Sequence, residues 1–156
     1  RGEVTLTEQE LRGWDLFNID RTDFSAGADC FHCHGAPHFT DFTFHNNGLD
    51  SDENFSDLGL YETTGSDVDK AKFKTPTLRN IEVTGPYMHD GRFSTLEEVI
   101  DHYNSGGHAS STVDPLMKNI GDGLLLSPED KQALLAFLRT LTDEEFLNNP
   151  EFSNPF

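Results

Sequence analysis

Five residues, Cys30-Phe31-His32-Cys33-His34, constrain this chain more than anything else in it. They hold its only 2 cysteines, and their order is C-x-x-C-H, the pattern at which a c-type haem is attached. The spacing has a mechanical reason. Two thiols three residues apart can each add to a vinyl group of one porphyrin, and the histidine that follows is then held under the iron. The motif therefore predicts one covalent haem c on Cys30 and Cys33, with His34 as the proximal ligand.

Three other uses of such a pair are weaker. A thioredoxin-like redox pair sits at the start of a helix after a strand, and no β-branched run precedes Cys30. A tetrahedral zinc site needs two more ligands. His38 and His45 are available, but their separation is outside the usual finger spacing and there is no second cysteine pair. A disulfide from Cys30 to Cys33 would close too short a loop to stabilise much.

The remaining composition narrows the class. The 156 residues suit one domain, and the predicted fold class is all-α, a cytochrome c fold around one covalently attached haem c with long haem-wrapping loops. Eleven Lys and Arg against 28 Asp and Glu leave a net charge of −17, a field that repels phosphate backbones and anionic lipid. Nucleic acid is excluded as a partner. No run approaches the roughly eighteen apolar residues of a spanning helix, so no membrane insertion is expected. Of the aromatics 13 are Phe, while aliphatic content is thin, and a porphyrin would complete the core. No leader pattern opens the chain at Arg1, which predicts a targeting segment already removed or a piece of a longer protein.

Local signals place the motif between helices. Thr7 and Glu10 form a capping box, with Leu6 and Leu11 as a hydrophobic staple. Leu11, Trp14 and Phe17 then share a face of a helix ending near Asn18. Trp14 and Phe17 read as packing residues. Ser127-Pro128-Glu129-Asp130 starts a C-terminal helix with Leu134, Leu135, Leu138 and Leu141 on its apolar stripe. A third helix starts at Phe93-Ser94-Thr95-Leu96-Glu97-Glu98, carries Leu96, Val99, Ile100 and Tyr103 on one face, and stops at Gly106 and Gly107. Residues 35 to 75 read as loop. Asp50, Asp52 and Asn54 there imitate the start of an EF-hand loop, but Phe55 and Tyr61 stand where that loop needs Gly and a bidentate Glu. His32, His38, His45, His102 and His108 read as polar surface or loop residues.

Beyond the attachment motif, three further blocks carry a resemblance. These are Phe73-Lys74-Thr75-Pro76-Thr77-Leu78-Arg79-Asn80, Thr84-Gly85-Pro86-Tyr87-Met88-His89-Asp90-Gly91, and Thr95-Leu96-Glu97-Glu98-Val99-Ile100-Asp101-His102-Tyr103. With the motif they resemble, over nearly the whole chain, the C-terminal haem domain of bacterial dihaem cytochrome c peroxidases and their MauG-like relatives. In these enzymes an N-terminal domain carries a second haem where peroxide is reduced, and the C-terminal domain receives and stores electrons. One attachment motif is present here, so the resemblance implies the electron-transfer half of such an oxidoreductase.

Residue by residue, the resemblance implies His34 as proximal ligand and Tyr103 as sixth ligand, at a position where peroxidases of this family carry Met and MauG-like members Tyr. A phenolate there favours ferric iron and a lower potential than Met would give. By periodicity alone Tyr103 is a core residue. Met117 is the alternative sixth ligand and Met88 a further rival. The carbonyls of Thr84 and Pro86 match positions that help bind a calcium ion. His89 matches a residue used between redox centres, the catalytic candidate. Arg79 is placed to pair with a haem propionate, a carboxylate that suits a guanidinium fork. Implied partners are an N-terminal peroxidatic haem domain and a small redox protein such as a cytochrome c or cupredoxin, to whose basic surface the acidic surplus is complementary. Haem c is assembled outside the cytoplasm, so the expected location is the periplasm. The alternative function is a stand-alone monohaem electron carrier without enzymatic activity.

Overall fold

The computed structural model describes residues 5–22 and 25–153. In chain order the elements are α1 (Glu8–Asn18), β1 (Phe44–His45), α2 (Tyr61–Thr64), β2 (Phe73–Lys74), α3 (Leu96–Ser105), α4 (Pro128–Arg139) and α5 (Glu144–Leu147), with 3-10 turns between them. No helix among the described residues is long and apolar enough to cross a membrane.

The three long helices begin where their caps predict. Thr7 Oγ1 accepts from Glu10 N at 3.3 Å while Glu10 Oε2 accepts from Thr7 N at 2.7 Å. Thr95 with Glu98 and Ser127 with Asp130 repeat the reciprocal arrangement, each cap satisfying amides that the first turn would leave unpaired. Gly106 ends α3 at φ 88°, and a Cβ there would lie 2.3 Å from Asn119 O, so both conformation and space require glycine.

α1 and α4 cross at Gly13. A Cβ on Gly13 would lie 2.0 Å from Ala133 O and 2.7 Å from Phe137 Cβ, so the two backbones touch. Gly13, Leu16 and Phe17 are the buried residues of α1. Leu11, expected on one face with Trp14 and Phe17, is 47% exposed. The crossing turns the Gly13 side of the helix inward instead. Phe137 takes Trp14 and Phe17 edge-on at centroid distances of 5.3 and 5.2 Å, consistent with packing roles for both. Arg12 closes the crossing, its Nε and Nη2 donating at 3.0 and 2.5 Å to one oxygen of Asp130. Burial raises the Asp130 pKa, but the guanidinium and the Ser127 cap outweigh it and hold the carboxyl below its usual range.

The all-α expectation is wrong. Only 38% of the described residues are helical, and β1 pairs antiparallel with β2, Phe44 opposite Lys74 and His45 opposite Phe73. The reason lies in the stretch between α1 and α3, where turn-forming Gly, Asp, Asn and Thr outnumber helix formers. That stretch is held by side chains on backbone and by the short ladder. Thr40 Oγ1 donates to Thr75 O at 2.7 Å and Thr77 Oγ1 to His38 O at 2.7 Å. The EF-hand imitation dissolves into separate contacts: Asp50 takes Arg92 in a fork at 2.9 and 2.7 Å, Asp52 accepts from Ser111, and Asn54 donates to Ser51.

Candidate haem site

The attachment motif is docked on the C-terminal end of α1. Ala28 N donates to Leu16 O at 2.8 Å and Asp29 N to Ile19 O at 3.1 Å. From there the chain enters the 3-10 turn Cys30–His32, entered through Asp29 in the left-handed region at φ 55°. His34 N donates to Cys30 O at 2.9 Å, which folds the pentapeptide into one compact turn. Both cysteines are free thiols of intermediate exposure. Burial, with the Asp29 carboxyl beside it, pushes the Cys30 thiol up to about 12, and burial pushes Cys33 up to about 11. A dithiol redox centre needs a lowered thiol instead. Nor does the zinc set converge. The ligand atoms of Cys33, Asp41 and His45 come within 4.8 Å of one another, while among the described residues Cys30 and His38 join no such group.

The imidazole of His34 is aimed by the Phe73–Asn80 block. Phe39, at φ 52°, turns its carbonyl inward, where it accepts from Leu78 N at 3.2 Å and faces His34 Nδ1 at 3.0 Å. With Nδ1–H donated to that carbonyl, Nε2 carries the lone pair, the arrangement that orients a metal-ligating histidine. Burial lowers the His34 pKa against the opposing hydrogen bond to the Phe39 carbonyl, a shift toward the neutral ring that a ligand needs.

Tyr103 comes from α3, with its phenol pushed up to about 12, chiefly by burial and against the opposing Asn47 hydrogen bond. Tyr103, like Cys30 and Phe31 of the attachment motif, is partly buried against the hydrophobic core. Asn47 Nδ2 lies 3.1 Å from Tyr103 Oη and 3.5 Å from Met88 Sδ. Two of the candidate sixth ligands therefore meet at one amide. Met117 is half-buried after the turn where its N–H donates to Asp114 O at 2.9 Å. The next residue, Lys118, reaches Asp20 and Asp29 at 3.1 Å each.

The other predicted residues lie further out. Arg79 is exposed, and among the described residues its guanidinium makes no ion pair, whereas Arg12, Arg92 and Arg139 all do. Thr84 and Pro86 are exposed on the turn before Tyr87, with carbonyls that accept no hydrogen bond among the described residues. His89 is exposed and lies flat on Phe73, ring centroids 3.6 Å apart.

Three polar features escaped the sequence reading. His102, expected at the surface, is 9% exposed, because it sits one residue before Tyr103 on the packed side of α3, and its Nε2 meets Asn47 O at 3.2 Å. His45, also expected as a surface or loop residue, is held between Asp114 at 2.6 Å and Asp41 at 2.7 Å with 18% of its side chain exposed. Burial lowers its pKa, but the two carboxylates override this and raise it. His32 forms a short contact with Asp29, whose own carboxyl is raised by burial and by the hydrogen bond it shares with Asp20.

The donor set fits a haem. Two thiols and an imidazole stand on one turn, the imidazole has its Nδ1 anchored, and a partly buried phenol packs with Cys30, Phe31, Leu78 and Phe93 against the core. Such a haem would be held by thioethers from Cys30 and Cys33 and by His34.

No family profile matches the chain. It is 38% identical over 123 residues to the methylamine utilization protein MauG of Methylorubrum extorquens, covering 78% of this chain and 33% of that protein. It is 31% identical over 165 residues to the cytochrome-c peroxidase IdrP2 of Denitromonas iodatirespirans, covering 89% and 41%. Among solved structures, a MauG-like protein associated with microbial copper homeostasis superimposes with a TM-score of 0.86 at 40% identity, over 99% of this chain and 53% of that one. The dihaem peroxidase BthA of Burkholderia thailandensis gives 0.69 at 25%, over 92% and 44%. The chain thus spans less than two thirds of the length of each of these proteins.

Proposed function

We propose, for a chain that belongs to the bacterial cytochrome c peroxidase and MauG-like family, that it is the electron-transfer haem c domain of a dihaem oxidoreductase. Relatives of this kind imply haem c as the cofactor. In this reading Cys30 and Cys33 would attach one haem covalently, and His34 and Tyr103 would be its protein ligands. The domain passes electrons to a peroxidatic haem carried by an N-terminal domain, in the periplasm. The observation that carries the reading is the anchored His34 imidazole on the turn that holds both cysteines, together with the partly buried Tyr103 phenol packed on the same core as Cys30. The haem supplies reversible one-electron storage when bound. The chain's own thiols would attach it, and the Phe39 carbonyl orients the His34 imidazole that would hold it.

The peripheral residues take matching roles. Arg79, free of carboxylate partners among the described residues, is our candidate for a haem propionate. His89, stacked on Phe73 at the surface, is the candidate for the path toward the second centre. The Thr84 and Pro86 carbonyls are available to a calcium ion at the domain boundary.

Peroxide heterolysis needs an open coordination position and an acid–base group beside it. A domain whose iron already has two protein ligands lacks the first. The chain on its own should therefore consume peroxide slowly while exchanging electrons readily with a small basic cytochrome or cupredoxin. With a net charge of −17, that exchange should slow as ionic strength rises and the screening length falls to about 10 Å at 0.1 M salt. Stopped-flow mixing with each reactant tests both halves. Peroxide turnover by this chain alone at peroxidase rates would make its own haem the reaction centre and overturn the assignment.

A further inference from the structure

Asn47 stands where the candidate sixth ligands meet, and it is held there from several directions. Its neighbour Asn46 is 2% exposed and donates through Nδ2 to Ser110 Oγ at 3.1 Å and Thr112 Oγ1 at 3.0 Å. Asn46 Oδ1 accepts from Gly48 N at 3.0 Å, and Asn46 O accepts from Asp114 N at 2.9 Å. Gly48, at φ 67°, passes its carbonyl to His108 N at 2.7 Å. A Cβ on Gly107 would lie 2.8 Å from that carbonyl, so the loop beyond α3 closes tightly on this segment. The Asn47 carbonyl itself meets Nε2 of buried His102, the residue before Tyr103. The backbone of Asn47 and the helix that carries the phenol are thus tied to each other independently of the side-chain contact. What remains for the Asn47 side chain is its amide, whose two N–H donors point at two different heteroatoms, Tyr103 Oη at 3.1 Å and Met88 Sδ at 3.5 Å. Met88 sits in the left-handed region at φ 69°, beside His89.

We propose that Asn47 is the positioning residue of the sixth-ligand place: its amide holds the Tyr103 oxygen toward the iron and keeps the Met88 sulfur from taking that place. This rests on the reading of His34 and Tyr103 as the axial pair. An uncharged double donor suits the task. It leaves a phenol oxygen a lone pair for coordination, while a thioether is a weak acceptor that the same amide retains at its edge. Removing the donor frees both heteroatoms at once.

The test compares ferric absorption and electron paramagnetic resonance spectra, with the reduction potential, of the haem-loaded chain and its variants. Asn47→Asp keeps the side chain's shape and removes its donors at neutral pH, and Asn47→Leu removes all polarity. Both should lose the phenolate-to-iron band and gain the near-infrared sulfur-to-iron band of methionine ligation, with a shift of the potential upward. Adding Met88→Leu to either should abolish the sulfur band and leave high-spin iron. If Asn47→Asp and Asn47→Leu both keep the wild-type spectrum and potential while Tyr103→Phe changes them, the proposal fails and the axial reading stands. If Asn47→Leu changes them and Asn47→Asp does not, the donor is irrelevant and the proposal fails as well. A Tyr103→Phe variant with the wild-type spectrum overturns the axial reading, and this proposal with it.

Discussion

Tyr103→Phe should convert the ferric protein from six-coordinate low-spin to high-spin, with a sixth position open to water. The substitution removes one oxygen and keeps the ring, so the packing of α3 against its neighbours is preserved and the change is confined to the ligand. With Asn47 still in place, Met88 remains held at the amide rather than moving to the iron. Loss of an anionic ligand destabilises the ferric state, so the reduction potential should rise by on the order of 0.1 V, a modest part of the range that axial ligands command. The vacated amide donor costs about 1 kcal/mol of stability, the lower end for an unsatisfied buried group, so the variant should fold. Electron paramagnetic resonance and a potentiometric titration read both effects. An unchanged spectrum here, together with an altered one for Met117→Ala, would assign the sixth place to Met117.

The second large effect is on the fold. Gly13→Val should destabilise the domain by about 3 kcal/mol or more, at or above the top of the usual range for overpacking. In an isolated helix the replacement of glycine by a larger residue is favourable by up to about 1 kcal/mol. Here the new Cβ would sit 2.0 Å from Ala133 O, a backbone atom that cannot rotate away. α1 and α4 would have to separate, loosening the contacts of Phe137 with Trp14 and Phe17 and the Arg12 link to Asp130. Against a typical total of 5–15 kcal/mol that is a large share. Denaturant titration of the haem-loaded protein, with exposed Gln9→Ala as a control, measures it. A midpoint for Gly13→Val equal to that of the control would show that the crossing is not a point of close contact.

What could be read in the sequence was what local chemistry decides. Helix starts depend on residues three apart: the Thr7–Glu10 capping box stands where its letters predict, and the starts at Thr95 and Ser127 prove to carry the same reciprocal cap. The attachment motif is equally local, and its turn is closed by His34 N on Cys30 O. The inward face of α1 was not legible. Whether Leu11 or Gly13 is buried depends on the partner helix, and Gly13 carries no side chain to enter an apolar pattern. The all-α expectation failed for a related reason, since a ladder of two residues per strand leaves no alternation to detect. The polar contacts of the site were the least visible. Asn47 is 56 residues from Tyr103 and His45 is 69 from Asp114, and no spacing rule connects residues so far apart. The only pointer was compositional: Asn46-Asn47-Gly48 is a strong turn signal, which says where the chain bends and nothing about what the amide meets.

The ligand assignments presuppose a porphyrin bonded to both cysteines. Acidified organic solvent unfolds the protein and breaks ligation by His34 and Tyr103, but leaves thioether bonds intact. After such extraction the wild-type chain, matured in a host that assembles c-type cytochromes, should keep its colour in the protein phase, and its mass should exceed that of the polypeptide by one haem. Haem released to the organic phase, with Cys30 and Cys33 recovered as free thiols, would contradict the account at its root.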